Sequence, residues 1–300
     1  MPLSFCQRMS ALPSPLKSAA SPNIWTARKR PLLLPKGANV EIYNNAAAAG
    51  YEQAFAHVSS HFMPFLLEAG RVAPGQHVLD VATGTGLLAE AALAKVGALG
   101  HVTATDLSPD MANRARERLS GASNITIGVE DGQALSFPDA SFDTVLCGLG
   151  LMFFPDPANG LVEFRRVLRS GGRAAVSVNT VPEKSYNTRV HFAIARHVPS
   201  LAPAASRLFS LGEEACLRTL FQQAGFQDVE VTTRSHRFPV RSFADYFEHV
   251  ERGWGSAGQT FVSLPAETRD AVREDVRRDV GDTGGAIEIE VEFRFANGRA

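Results

Sequence analysis

The pattern of apolar and polar positions changes its period repeatedly between residues 51 and 180. In residues 51–70, apolar side chains recur every three or four positions, which is the period of an amphipathic helix. Short and mostly apolar runs then follow at regular intervals, and a helical pattern comes after nearly every one of them. This alternation predicts an α/β fold, in which a parallel sheet is covered by helices on both faces.

Five strands and four helices are predicted in this part of the chain. The predicted strands are 77–82, 101–107, 125–131, 142–150 and 173–179. The predicted helices are 51–70, 87–97, 108–121 and 157–172. The third helix is the most clearly marked, because Ser108 has the residue type of an N-cap and Pro109 suits a first helical turn.

The C-terminal part has longer helical stretches and fewer strands. Its predicted helices are 186–198, 212–226, 242–253 and 264–280, with a strand at 229–233. Residues 287–295 alternate strictly between apolar and charged side chains, which predicts an antiparallel strand with one buried face. We expect residues 40–300 to form one domain, with helical lid insertions at about 183–212 and 242–282.

Composition excludes several classes of function. The 300 residues are 45% hydrophobic and 20% charged, and the formal net charge is −1. No overall charge attracts nucleic acid or an anionic membrane, and no apolar run approaches the roughly 20 residues of a membrane span. The three cysteines lack the spacing of a metal site. We therefore expect a cytoplasmic protein with a small-molecule substrate, no metal, no nucleic-acid partner and no stable membrane insertion, of undetermined oligomeric state.

The first 39 residues have a different composition from the rest. They contain six basic residues, six prolines and no acidic residue. Such a segment is predicted to be a disordered tail, because the prolines interrupt every helical stretch. An organelle transit peptide is the alternative, and the proline content argues against the amphipathic helix that such peptides form.

The segment 78–89, VLDVATGTGLLA, indicates a ligand that passes close to the backbone. Gly84 and Gly86 follow a predicted strand and precede a helix, as in loops that hold an adenine cofactor. Asp106 ends the next strand, where an acid binds ribose hydroxyls. Dinucleotides and S-adenosylmethionine both use loops of this kind.

Asp80 discriminates between these two cofactors. It lies just before the glycines, where a pyrophosphate would meet its negative charge at short range. S-adenosylmethionine carries a sulfonium and an ammonium instead of phosphates, and both cations suit this position. Its adenine needs an acceptor, which Asp131 supplies in a turn with Gly132 and Gln133, and an apolar slot formed by Leu107 and Met111.

Four motifs appear in the order and spacing of a known family. They are VLDVATGTG (78–86), ATDLSPDM (104–111), EDGQALSFPDASFDTV (130–145) and EFRRVLRSGG (163–172). With them the chain resembles the class I S-adenosylmethionine-dependent methyltransferases, in particular the branch of ubiquinone/menaquinone C-methyltransferases and small-molecule methyltransferases. The resemblance implies a Rossmann-like, doubly wound, seven-stranded sheet that is mostly parallel with an antiparallel last strand. The chain departs from the family at Ala82, where glycine is common, and at Ser170, where proline is common.

The sequence leaves the acceptor and the methylated atom open. The apolar content of the predicted lid helices favours a small, apolar or aromatic acceptor. His191, His236, Tyr186 and Glu183 are candidate bases, and none is assigned a catalytic role. The alternatives are a nicotinamide-dependent oxidoreductase and a non-catalytic S-adenosylmethionine-binding protein.

Overall fold

The computed structural model of the protein describes residues 50–300, so the predicted tail at 1–39 lies outside the described part. The described strands are His77–Val81 (β1), His101–Asp106 (β2), Ile125–Val129 (β3), Phe142–Gly148 (β4), Leu168–Asn179 (β5), Gln227–Val240 (β6) and Ile287–Arg299 (β7). The described α-helices are Tyr51–Ala69 (α1), Leu87–Val96 (α2), Pro109–Arg118 (α3), Pro157–Val167 (α4), Thr188–His197 (α5), Ala202–Arg207 (α6), Glu214–Gln223 (α7), Phe243–Glu251 (α8), Gly255–Val262 (α9) and Ala266–Asp279 (α10).

The seven strands form one sheet in the order β3-β2-β1-β4-β5-β7-β6. Strands β1 to β5 pair in parallel, whereas β7 runs antiparallel to both β5 and β6. The predicted sheet and its antiparallel last strand are therefore confirmed. The chain order reverses between β1 and β4, and ligands of such sheets bind at the carboxyl ends of the strands near this point.

Strand β7 buries one face, as its sequence pattern predicts. Ile287, Ile289 and Val291 are buried, while Glu288 between them is exposed. Their side chains join one hydrophobic cluster with residues of α1, α5, α8 and α10. Helices α5, α8 and α10 are thus packed with α1 on this part of the sheet, whereas α7 belongs to a second cluster with residues of β4, β5 and α4.

Several predicted boundaries are wrong, and the largest differences have a clear cause. The helix predicted at 157–172 ends at Val167, because Leu168 is extended and pairs with Phe142 of β4. The strand predicted at 229–233 extends over Gln227–Val240, because it pairs along the whole of β7. Pro239 is tolerated there because β6 is the edge strand of the described sheet, with no described strand on its outer side.

Helices α6 and α9 were not predicted. Helix α9 contains Gly255 and Gly258, and glycine is a poor helix former. Packing explains the glycine at position 258, because a Cβ atom there would lie 2.7 Å from the backbone carbon of Gly253. Among the described helices, none is long and apolar enough to cross a membrane.

Candidate active site

The glycine loop after β1 contains three residues in left-handed backbone conformations. Gly84 has φ 58°, and Gly86, the N-cap of α2, has φ 88°. Ala82 also has a positive φ, 57°, in the position where the resembling family often has glycine. A side chain at this φ costs about 1–2 kcal/mol, which accounts for that preference and shows that Ala82 is tolerated under strain.

Gly86 is further constrained by helix α3. A Cβ atom at Gly86 would lie 3.2 Å from both the Ala115 Cβ and the Leu119 Cδ1. We expect Gly86→Ala to lower the free energy of unfolding by about 1–3 kcal/mol, because strain and overpacking add. Gly171→Ala is the matched control, since Gly171 has φ 80° and nothing within 4 Å of such a Cβ. Equal losses in chemical denaturation would contradict the packing argument.

Asp80 lies buried at the end of β1, with one of its oxygens unpaired. Its Oδ2 accepts a hydrogen bond of 2.6 Å from the Thr83 hydroxyl. Its Oδ1 is buried and makes no hydrogen bond of ordinary geometry to a described residue, although the Ala89 amide in the first turn of α2 lowers the pKa of this carboxyl. Burial raises the pKa of Asp80 to about 7, and the charge of Asp106 acts in the same direction. An unpaired buried acceptor of this kind favours a cationic ligand.

Asp106 connects the end of β2 to the glycine loop. Its Oδ2 accepts from the Gly84 amide at 2.8 Å, and its Oδ1 accepts from the Ser108 amide at 2.9 Å. Burial raises the pKa of Asp106, against the effect of these two hydrogen bonds. Each oxygen keeps a second lone pair for a ligand hydroxyl.

A cavity that is partly open to solvent lies between the glycine loop and α1. We refer to it as the first cavity. Asp80, Ala82 and Gly84 line it on the sheet side, and Phe62 and Met63 line it on the α1 side. Three of the residues predicted from the sequence therefore meet at this cavity. Gly86 and Asp106 support the loop behind it.

The turn after β3 is held by its own hydrogen bonds. Asp131 Oδ1 accepts from the Gln133 amide at 2.9 Å, and Gln133 Oε1 accepts from the Asp156 amide at 2.8 Å. Gly132 packs against Phe154 and Val81, leaving no room for a side chain.

The two residues predicted to form an adenine slot lie near the end of β2. Leu107 is partly buried, and Met111 is buried in the first turn of α3. The Ser108 side chain caps α3 as predicted, by accepting the Met111 amide at 3.3 Å. The binding of adenine by Leu107, Met111 and the turn at Asp131 remains a prediction.

A second cavity adjoins the first, and Ser59, Leu149 and Phe293 line both. Its other lining residues are Phe55, Val58, Met152, Phe153, Asn179, Tyr186, Asn187, Thr188 and Ser256. None of these described side chains is charged. Sequence reasoning missed the polar members, because they lie on elements far apart in the chain and no local pattern marks them.

His191 is placed behind this second cavity. Its Nε2 lies 3.1 Å from the Ser256 Oγ, and burial lowers its pKa to about 4, so its imidazole is neutral at pH 7. Tyr186 lines the cavity itself, and burial raises its pKa to about 12. The other candidate bases, His236 and Glu183, are exposed and line neither cavity.

Comparisons with known proteins agree with this geometry. A family model described as a methyltransferase domain matches residues 79–176. The chain is 31% identical over 178 residues to the ubiquinone/menaquinone biosynthesis C-methyltransferase UbiE of Cupriavidus metallidurans, a match covering 55% of this chain and 73% of that protein. It is 34% identical over 140 residues, 46% of this chain, to the protein of the same name from Bordetella avium, and spans about half, 52%, of that relative.

A solved structure shows the same fold. Phosphoethanolamine N-methyltransferase 2 of Haemonchus contortus, in complex with S-adenosyl-L-methionine, superposes with a TM-score of 0.56 at 18% identity. The superposition covers 86% of this chain and 57% of that one. The chain belongs to the family of S-adenosylmethionine-dependent methyltransferases.

Proposed function

We propose that the protein transfers a methyl group from S-adenosylmethionine to a small, uncharged, apolar or aromatic acceptor. The observation that carries this proposal is the pair of adjoining cavities at the carboxyl ends of the strands. Asp80, which has one unpaired carboxylate oxygen, lines one of them, and the other is apolar with neutral polar groups. Because the two cavities share lining residues, a molecule in one would lie next to a molecule in the other.

The first cavity is the proposed site for the methionine part of the cofactor, and its adenosine part is assigned to residues outside the cavity lining, at the ends of β2 and β3. The Asp80 carboxylate faces the cationic methionine part, and Asp106 accepts from the ribose hydroxyls. Asp131, with Gly132 and Gln133, accepts from the adenine amine, and Leu107 and Met111 pack on its ring. When bound, the cofactor supplies an electrophilic methyl group on a sulfonium.

The second cavity is the proposed acceptor site. Burying a charged group without a partner is costly, so a cavity lined only by uncharged side chains selects an uncharged acceptor. Rings of the acceptor pack against Phe55, Phe153 and Phe293. The Ser256 hydroxyl, held by neutral His191, offers a hydrogen bond to a polar substituent. Alignment of the acceptor with the methyl group is the main catalytic contribution of these residues.

We also propose a domain organisation. Residues 40–300 form one domain, and the helices within 183–212 and 242–282 form the lid of the acceptor site. Thr188 on α5 and Ser256 on α9 lie in these two segments and line the second cavity.

The test is a screen of uncharged and charged acceptors with S-adenosylmethionine, read by mass spectrometry as a gain of one methyl group. Quinone-like rings belong in the panel, because two relatives are named quinone C-methyltransferases. Methylation of charged acceptors alone would contradict the proposed acceptor class. Binding of S-adenosylhomocysteine without methylation of any acceptor would favour a non-catalytic binding protein, and binding of NADH alone would favour an oxidoreductase.

Filling the acceptor site should separate its role from cofactor binding. Ser256 lines the second cavity and not the first. We expect Ser256→Leu to abolish methyl transfer to the best acceptor of the screen, since the larger side chain occupies the cavity. Calorimetric affinity for S-adenosylhomocysteine should stay within about twofold of wild type. A folded variant that keeps its full methylation rate would exclude Ser256 from the acceptor site.

A further inference from the structure

Arg118, the last residue of α3, contacts three other segments of the fold. One guanidinium nitrogen lies 2.5 Å from the Glu52 Oε2 of α1, and another lies 2.8 Å from the Glu90 Oε2 of α2. Its Nε donates to the Thr85 carbonyl of the glycine loop at 3.1 Å. The Arg118 side chain is mostly buried, so its planar group is fixed by these three partners.

The partners of Arg118 belong to the two walls of the first cavity. Thr85 lines this cavity in the glycine loop. Glu52 lies about two helical turns before Ser59, the first residue with which α1 lines the same cavity. Arg118 therefore connects the two opposing walls, and Glu90 holds its guanidinium from the first turn of α2.

The same contact fixes a peptide group of the glycine loop. The Gly86 amide donates to the Thr83 carbonyl at 3.0 Å, and the Thr85 carbonyl accepts from Arg118. The peptide between Thr85 and Gly86 is thus held at both ends. Of these two contacts, the one made by Arg118 comes from outside the glycine loop.

The charges of this cluster are stable at neutral pH. Burial would raise the pKa of Glu52, but its hydrogen bonds to Arg118 and Thr85, together with the charges of Arg118 and Arg114, outweigh burial and the pKa is lowered. Burial would lower the pKa of Arg118, but its bonds to Glu52 and Glu90 outweigh burial and the pKa is raised. The network remains an ion pair over the range in which an enzyme is assayed.

We propose that Arg118 is a positioning residue for cofactor binding, which holds α1 and the glycine loop at the separation that the cofactor requires. This inference rests on the proposed function, since it takes the first cavity as the site for the methionine part of the cofactor. Arg118 does not line the cavity, so it acts through Glu52 and Thr85.

The chain offers a matched control in Arg196. Its Nε lies 2.9 Å from the Asp275 Oδ2, and its Nη2 lies 2.7 Å from the Asp279 Oδ2. Like Arg118, it bonds two acids and connects separate helices, here α5 and α10. Neither it nor its partners line the first cavity.

The experiment compares S-adenosylhomocysteine binding by calorimetry in wild type, Arg118→Met, Arg118→Lys and Arg196→Met, at a temperature where all are folded by circular dichroism. We expect Arg118→Met to bind about tenfold or more weakly, since two charged hydrogen bonds and one carbonyl contact are lost. The affinity of Arg118→Lys should lie between those of wild type and Arg118→Met. Lysine keeps the positive charge but lacks the planar guanidinium that bonds several partners at once. Arg196→Met should bind like wild type, although it also loses two ion pairs.

Amide hydrogen exchange without ligand provides a second readout. Arg118→Met should speed exchange in residues 52–58 and 83–86, and Arg196→Met should not. Unchanged affinity and unchanged exchange in folded Arg118→Met would overturn the inference, as would equal weakening by Arg196→Met. If wild type binds no S-adenosylhomocysteine, the proposed function fails. Faster exchange in Arg118→Met would then support a purely structural link between the walls, and positioning for this cofactor would fail with the function.

Discussion

Replacing Asp80 with asparagine is expected to weaken the binding of S-adenosylmethionine by about 100-fold at pH 8, roughly the 3 kcal/mol of a strong charged hydrogen bond. Asp80 is fully buried, and its Oδ1 makes no hydrogen bond of ordinary geometry to a described residue. Asparagine keeps the size of the side chain and an oxygen that accepts from Thr83. It removes the negative charge that we propose to face the cationic methionine part. Calorimetric titration gives the affinity directly.

The pH dependence of this binding follows from the pKa of Asp80. Burial raises that pKa to about 7, so the side chain is mostly protonated at pH 6 and mostly ionised at pH 8. A cation binds the ionised form, and affinity should therefore rise between pH 6 and pH 8 in wild type. Titration at pH 6 in buffers of different ionisation enthalpy should detect a released proton. Asp80→Asn should show neither effect, and a pH-dependent affinity in this variant would assign the titration to another group.

The same variant should be more stable than wild type without ligand at pH 8. The pKa of Asp80 is higher in the folded state than in the unfolded chain, so the folded state binds the proton more tightly. This contribution to stability is complete below about pH 4 and is lost as the pH rises to about 7, a change of about 4 kcal/mol. Asparagine cannot ionise and avoids the loss. A lower melting temperature for Asp80→Asn than for wild type at pH 8 would contradict this account.

Much of the sheet could be predicted because its signals are local. Strand β7 alternates Ile287, Glu288 and Ile289 residue by residue, and its pairing buries one face as that pattern requires. The glycine loop was found for the same reason. Gly84 and Gly86 adopt the positive φ that their residue type allows, next to a buried strand. In both cases, the residue types within one short segment determine its local structure.

The remaining parts depend on contacts between distant segments. Asn179 ends β5, Asn187 is the N-cap of α5, and Ser256 lies in α9, and only folding brings them to one cavity. Arg118 meets partners 28 and 33 residues away in sequence, at Glu90 and Thr85, and no spacing rule marks such a cluster. The extent of β6 was underestimated because its length is set by β7 and not by its own residues.

Replacing Asp106 with alanine should weaken S-adenosylhomocysteine binding by about 1.5–3 kcal/mol, and by more if the glycine loop moves. The change removes the proposed acceptor of the ribose hydroxyls. It also leaves the Gly84 and Ser108 amides without the oxygens that they donate to at 2.8 and 2.9 Å. Asp106→Asn should lose less, because one side-chain oxygen remains to accept. If Asp106→Ala binds S-adenosylhomocysteine more weakly than Asp106→Asn does, the loss of hydrogen bonds contributes in addition to the loss of charge.

Asp143 provides the control for the structural part of this effect. Its carboxylate also accepts from a backbone amide, that of His77 at 2.7 Å, and it pairs with Arg169 at 2.6 Å. Asp143 lies at the start of β4, at the amino ends of the parallel strands, whereas the first cavity lies at their carboxyl ends. Asp143→Ala should therefore lower stability without changing affinity, whereas Asp106→Ala should change both. If a folded Asp106→Ala protein bound S-adenosylhomocysteine like wild type, the ribose would have to lie elsewhere, and Asp106 would serve only to shape the glycine loop.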